Sequence, residues 1–186
     1  MNKILTYILC LSIAVISAEG ISVDGNLDEP EWEDAYIIDE YYEAVPYTLK
    51  TPDVKTVTRI ISNEEGIYIG FTNFQDNASM LSNKSMRDEI PNNAEQNGVA
   101  IDFDGDGLKA YMFFATLANI QGDGVRPLGG WPEFDWDGDW DVKMKKYDGY
   151  WVSEFLIPWN VVLMKNVDTP YSCLLYTSPS PRDNKA

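Results

Sequence analysis

The chain has 186 residues, with 30 acidic and 14 basic side chains, no histidine and a formal charge of −16. The absence of histidine excludes Ser-His-Asp and Cys-His nucleophiles and the usual zinc sites. The acidic balance argues against nucleic acid and anionic membrane as partners, because counterion release needs a basic surface; it suits a neutral or cationic ligand or a divalent metal.

Residues 1–18 read as an export signal. Lys3 supplies the positive start, Ile4 to Ile16 is an apolar run, and Ser17-Ala18 offers small residues for cleavage before Glu19. The run is short for a membrane span, which needs roughly 20 apolar residues. Tyr7-Ile8-Leu9 lacks the small residues expected before a lipidated cysteine at Cys10. The expected location is the periplasm, the outer membrane or the cell surface. Residues 19–165 are expected to form one domain. At roughly 150 residues such a domain buries about 70% of its unfolded surface and needs no disulfide.

Along this domain the pattern is alternation punctuated by turns. A single turn of helix is expected at Glu29–Ala35, with Pro30 at its entry. Strands are expected at Thr56–Ile61 and Gly66–Phe74, the latter with Ile67, Ile69 and Phe71 on one side. Gly98–Phe103 follows, then a strand with Tyr111, Phe113, Ala115 and Leu117 on one face. Gly122-Asp-Gly124 reads as a turn. If a strand begins near Asp139, then Trp140, Val142 and Met144 share a face. In the next strand Trp151, Ser153, Phe155 and Ile157 lie opposite Tyr150, Val152 and Leu156, and a second helical turn is expected at Pro158–Met164. Apolar residues on both faces of several strands predict an all-β, jelly-roll-type sandwich.

Four places along this frame could carry chemistry. Arg87-Asp88 lies in the hydrophilic stretch Asn83–Asn97, where Asn92, Asn93, Gln96 and Asn97 could also offer amides. Asp102-Phe-Asp-Gly-Asp-Gly107 imitates the start of an EF-hand, but Phe113 stands where a bidentate glutamate is needed. The segment is therefore a solvated hairpin turn or a single calcium site using Asp102, Asp104 and Asp106. Gly129-Gly-Trp-Pro-Glu-Phe-Asp-Trp-Asp-Gly-Asp-Trp-Asp141 combines three tryptophans with four aspartates. Indole faces stack on sugar rings while carboxylates such as Asp137 accept hydrogen bonds from hydroxyls. Alternation assigns Trp140 to the core but does not place Trp131 and Trp136, which lie in turn-rich sequence and are candidates either for ligand contact or for the core; Asp135, Asp137, Asp139 and Asp141 form a second oxygen-rich run. Trp32 is expected to plug one end of the sandwich, and Trp151 and Trp159 to be core. Glu154, on an otherwise apolar strand, is the carboxylate whose setting could raise its pKa, which leaves a glycosidase reading open.

The order of segments carries a resemblance. Ile21-Ser-Val-Asp-Gly-Asn-Leu-Asp-Glu-Pro-Glu-Trp32 is followed by Gly66-Ile-Tyr-Ile-Gly70, Arg87-Asp88, Ala100-Ile-Asp-Phe-Asp104, Trp136-Asp-Gly-Asp-Trp140 and Gly149-Tyr-Trp-Val-Ser-Glu-Phe-Leu-Ile-Pro158. Together these resemble the family 9 carbohydrate-binding modules, notably those at the N-terminus of bacterial surface proteins. The resemblance covers about residues 20–165. It implies a non-catalytic β-sandwich that binds poly- or oligosaccharide by aromatic stacking, without inserting into a membrane. It further implies an arginine, here Arg87, holding sugar hydroxyls, and in some members a structural calcium. An enzyme domain or a surface adhesion module are the alternatives.

Residues 166–186 are expected outside the domain. Within them Cys173 to Asp183, CLLYTSPSPRD, reads as an in-frame translation of the transposase adaptor used to build sequencing libraries, with a Ser/Pro-rich linker as the plain alternative. On the adaptor reading the sandwich lacks its last strand or strands and leaves an open edge prone to pairing. The native product is then expected to be a longer surface protein.

Overall fold

The computed structural model describes residues 20–43, 48–89, 94–164 and 172–177. The expected signal segment, Asn92 and Asn93 lie outside the described residues. Among the described residues nine antiparallel strands form two sheets. They are β1 (Tyr36–Ile38), β2 (Thr56–Ser62), β3 (Gly66–Phe74), β4 (Gln96–Asp102), β5 (Lys109–Thr116), β6 (Gln121–Pro127), β7 (Asp141–Tyr147), β8 (Tyr150–Pro158) and β9 (Ser172–Thr177). Sheet A has the order β1-β2-β3-β8-β7 and sheet B the order β6-β5-β4-β9. This is the all-β sandwich that the alternation predicts. The two expected helical turns are short 3-10 segments at Pro30–Asp34 and Trp159–Val161. Among the described residues no helix is long and apolar enough to cross a membrane.

The core lies between the sheets. Ile67, Ile69 and Phe71 of β3 and Trp151, Phe155 and Ile157 of β8 meet Val99 and Ile101 of β4 and Phe113 and Ala115 of β5. Each large side chain buried here contributes about 1.5–3 kcal/mol by leaving water. Trp140 belongs to this core: its ring stacks on Phe155 at 5.8 Å with an interplanar angle of 2°. Val142 and Met144 pack into the same cluster, as the alternation requires.

The core also contains a polar knot. The Asn73 amide of β3 donates to Asn97 Oδ1 of β4 at 2.9 Å, and the Asn97 amide returns a bond to Asn73 Oδ1 at 3.3 Å. Ser153 of β8 also donates to Asn97 Oδ1, and Thr56 of β2 to Asn73 Oδ1. Asn97 is thus fully engaged in joining the two sheets, where the sequence had offered it to a ligand.

A second apolar layer covers the outer face of sheet A. Ile21 and Trp32 of the opening segment pack on Tyr68 and Leu156. Trp32 therefore lies against the face of a sheet, not over a sandwich end. Its indole N–H donates to Glu29, which also accepts the backbone N–H of Ser22.

Two strands depart from expectation. Gly122-Asp-Gly124 lies within β6, where Gly124 serves a close approach and not a turn. A Cβ on Gly124 would stand 2.6 Å from the Glu133 carbonyl oxygen. Strand β9 is formed by six residues of the segment set outside the domain, and it pairs with β4 from Asn97↔Thr177 to Asp102↔Ser172. It occupies the edge that was expected to stand open.

Candidate functional site

The candidate residues distribute around sheet B. Strand β6 is an edge strand, and the neighbouring loops cover its free backbone. Asp88 N–H donates to the Gln121 carbonyl, and Asp123 N–H donates to Asp88 Oδ1. Farther along, Val125 and Glu133 exchange two backbone bonds of 2.8 Å. Covering an edge in this way removes a template for pairing with other chains. Asp88 adopts φ +64° to make these contacts, a left-handed conformation that aspartate tolerates better than most residues.

Arg87, Asp88 and Asp137 do come together, with two partners that the sequence did not reveal. The Arg87 guanidinium donates to Gln121 Oε1 at 3.1 Å, Asp123 Oδ2 at 2.6 Å and Asp137 Oδ1 at 2.5 Å. Its Nε lies 3.7 Å from Asp88. Asp123 faces inward from β6, is buried, and also accepts the Trp140 indole N–H at 2.8 Å. Burial pushes the Asp123 carboxyl above its ordinary range, while the Trp140 bond and the Arg87 charge pull it back. The guanidinium fork is thus spent within the protein, tying the 87–88 and 137–140 segments to β6. No periodicity marks Asp123; only its place between two glycines sets it apart.

Trp131 and Trp136 have different settings. Trp136 is half-buried, meeting Tyr111 edge-on at 4.9 Å and Phe113 at 5.8 Å. Its ring also lies across Gly138, where a Cβ would come within 2.5 Å. Trp131 is 89% exposed. Leu128 and Phe134 are also exposed, and the Phe134 ring sits against Gly124 of β6.

Beside this loop the outer face of sheet B forms a trough enclosing about 680 Å³. Its lining includes Ala100, Ala110 and Met112, with Arg126 and Leu128 on one side and Leu174 of β9 on the other. The trough exists because the outward positions carry small residues. Ala100 and Ala110 leave only Cβ atoms where larger side chains would fill the space. A volume of this size suits a ligand of several rings.

The Asp102–Gly107 segment forms one end of the trough. Asp102 spends both oxygens on it, accepting Gly105 N–H at 2.9 Å and Gly107 N–H at 2.7 Å, while Asp106 accepts Leu108 N–H. Among the described residues no group of three Asp, Glu or Cys side chains is placed to hold a metal ion. As arranged, Asp102 and Asp106 close the turn through backbone N–H groups.

Glu154 lies far from this face. It points outward from β8 beneath the opening segment, fully buried, and its Oε2 accepts the N–H groups of Asp24 and Gly25 at 2.9 and 2.8 Å. Burial raises its pKa to about 7 against the lowering effect of those two bonds. It is a fastening for the Asp24-Gly25 segment, covered from solvent.

No protein-family model matches the chain, and no curated protein shows significant similarity to it.

Proposed function

We propose that the domain is an exported, non-catalytic carbohydrate-binding module of the family 9 type, taking a poly- or oligosaccharide along the outer face of sheet B. The observation that carries this reading is the exposure of Trp131 two residues beyond the Leu128–Gly129 wall of the trough. An indole standing in water beside further exposed apolar side chains is the mark of a contact surface. Stacking on a pyranose is the interaction it suits best in a chain of net charge −16, because sugars are neutral and their C–H faces are apolar. Small outward residues give a glycan access to the sheet, and Arg126 offers a donor at the rim. Trp136 and Arg87 act from beneath, fixing the loop that presents Trp131. A glycosidase needs a pair of accessible carboxylates at roughly 5–9 Å, and the buried setting of Glu154 offers nothing toward one.

Calorimetry of the folded chain against xylan, cellulose and glucan oligomers tests the reading. Binding that weakens about tenfold or more in Trp131→Ala, with no sugar release on incubation, is the expected outcome. Silence across the panel would replace it with the adhesion reading.

A further inference from the structure

A second groove, on the outer face of sheet A, takes no part in the proposed site. It encloses about 410 Å³ between the opening segment and the far ends of β7 and β8. Its floor is Thr72 and Val152, its aromatic wall is Tyr147 and Tyr150, and its polar rim is Asn26, Asp28 and Arg59. This is the size of one or two sugar rings.

Three features make it a built site. The aromatic wall is rigid: Tyr147 and Tyr150 stack at 4.6 Å and 5°, and Phe74 backs Tyr150 at 6.2 Å. The Tyr147 hydroxyl is anchored by sharing its one proton between the Gly25 carbonyl and Asn26 Oδ1, which also accepts from the Lys145 ammonium at 2.7 Å. The rim therefore holds its shape without a ligand.

The second feature is Arg59. It projects outward from β2, opposite Gly70 of β3, and is half-buried. Among the described residues it has no ion pair and no side-chain hydrogen bond, although acidic side chains outnumber basic ones by two to one in this chain. Arg87, by contrast, has three carboxylate neighbours. A guanidinium partly withdrawn from water and left unpaired is an anion site in waiting, because its planar fork matches a carboxylate in two parallel bonds. Lys145, bound to Asn26, adds positive potential on the same side.

The third is Gly70. Leu27 occupies the space where a side chain would stand, with its methyl carbons 2.6 and 2.7 Å from the Cβ position. This plug closes the lower end of the groove, so that a ligand entering from solvent meets Arg59 and the tyrosine wall together.

We infer that this groove is a second, independent binding site for a carboxylate-bearing sugar ring of the uronic acid class. Arg59 takes the carboxylate, Tyr147 and Tyr150 line the apolar edge of the ring, and Asp28 and Thr72 meet its hydroxyls. The inference extends the glycan-binding reading to another face of the fold and does not share residues with it.

The test is calorimetry of the whole chain with short galacturonate and glucuronate oligomers, each beside its carboxyl-reduced neutral counterpart. Acidic oligomers should bind at least tenfold more tightly than the reduced ones. Arg59→Gln should erase that preference, and Arg59→Lys should recover part of it, with near-ultraviolet circular dichroism showing both variants folded. Equal binding of acidic and reduced oligomers, or a preference that survives Arg59→Gln, overturns the inference. Neutral-glycan binding that depends on Trp131 is read in the same titrations. Its loss with the Arg59-dependent preference intact would sink only the trough, and the converse only this groove.

Discussion

The carboxylate of Glu154 accepts the backbone N–H of Gly25 at 2.8 Å across 129 residues of sequence. The opening Asp24-Gly25 and the closing Glu154-Phe155 are thus two halves of one clasp. The first and last of the segments that carry the family resemblance are joined by hydrogen bonds that fix the opening segment onto sheet A, with Leu27 seated over Gly70 and Trp32 on Tyr68 and Leu156.

The clasp predicts a pH dependence. The Glu154 pKa of about 7 stands above the ordinary carboxylate value of 4.5. Between those values the native state holds a proton that the unfolded chain releases. The contribution is full below about pH 4.5 and lost as pH rises through 7, on the order of 3 kcal/mol at 1.36 kcal/mol per pH unit. Urea midpoints should therefore climb as pH falls from 7.5 to 5, and Glu154→Gln should flatten the slope. Relief of general acidic repulsion acts in both proteins, so the difference between the two slopes is the quantity that decides. Parallel slopes would remove Glu154 from the account.

The three tryptophans of the 129–141 segment should separate by role. Trp140→Ala removes a buried ring together with the indole bond to Asp123, and should cost about 3–5 kcal/mol in chemical denaturation. Trp136→Ala removes a half-buried ring from Tyr111 and Phe113 and should cost about 1–3 kcal/mol, since less area leaves the interior. Trp131→Ala should leave stability within about 0.5 kcal/mol, as expected of a surface change. A large stability loss at Trp131 would show that its exposure has been misread.

Arg87→Ala should act on stability before it acts on sugar. It leaves the buried Asp123 with its indole partner but without its cation, a loss of about 1–3 kcal/mol typical of a charged hydrogen bond. Arg87→Lys should restore little, because one ammonium cannot span Gln121, Asp123 and Asp137 together. If thermal melting is unchanged in Arg87→Ala while glycan affinity collapses, the guanidinium is a ligand contact and not a tie.

Gly124→Ala tests how the trough loop is held. The added methyl would meet the Glu133 carbonyl at 2.6 Å and the Phe134 ring at 3.0 Å. Relief requires the loop to lift from β6, breaking the two Val125–Glu133 bonds. The expected cost is about 1–3 kcal/mol, as for other overpacking changes, together with weaker glycan binding as Trp131 loses its fixed base. Unchanged stability would mean that the loop has slack the structure does not reveal.

Much of the sandwich was legible because alternation is a strong signal where one face is buried. Ile67, Ile69 and Phe71, and Trp151, Phe155 and Ile157, faced inward as read, and β3 runs from Gly66 to Phe74 as expected. Strand β6 was missed for a physical reason. Glycine marks both turns and close backbone approach, and only the position of Glu133 distinguishes the two. Strand β1 has three residues, too few to show a period. The site was less legible than the fold, because its geometry depends on contacts between distant segments. Arg87 was singled out by its hydrophilic stretch and by the resemblance; that its charge would be met by Asp123, thirty-six residues away, left no trace in local sequence. Arg59 gave no signal either, since what distinguishes it is that no ion pair or side-chain hydrogen bond holds it among the described residues.

The paired amides of Asn73 and Asn97 have a mechanical consequence. Layers held only by hydrocarbon can creep, because a displaced methyl group finds another methyl group. Here a shift of one residue between the sheets would break the bonds that Asn97 makes with Asn73 and Ser153, and each abandoned polar group costs about 1–3 kcal/mol. Small displacements are thereby made as unfavourable as large ones. The two layers either stay in a single alignment or separate altogether, so both grooves are mounted on a frame that transmits force without yielding gradually.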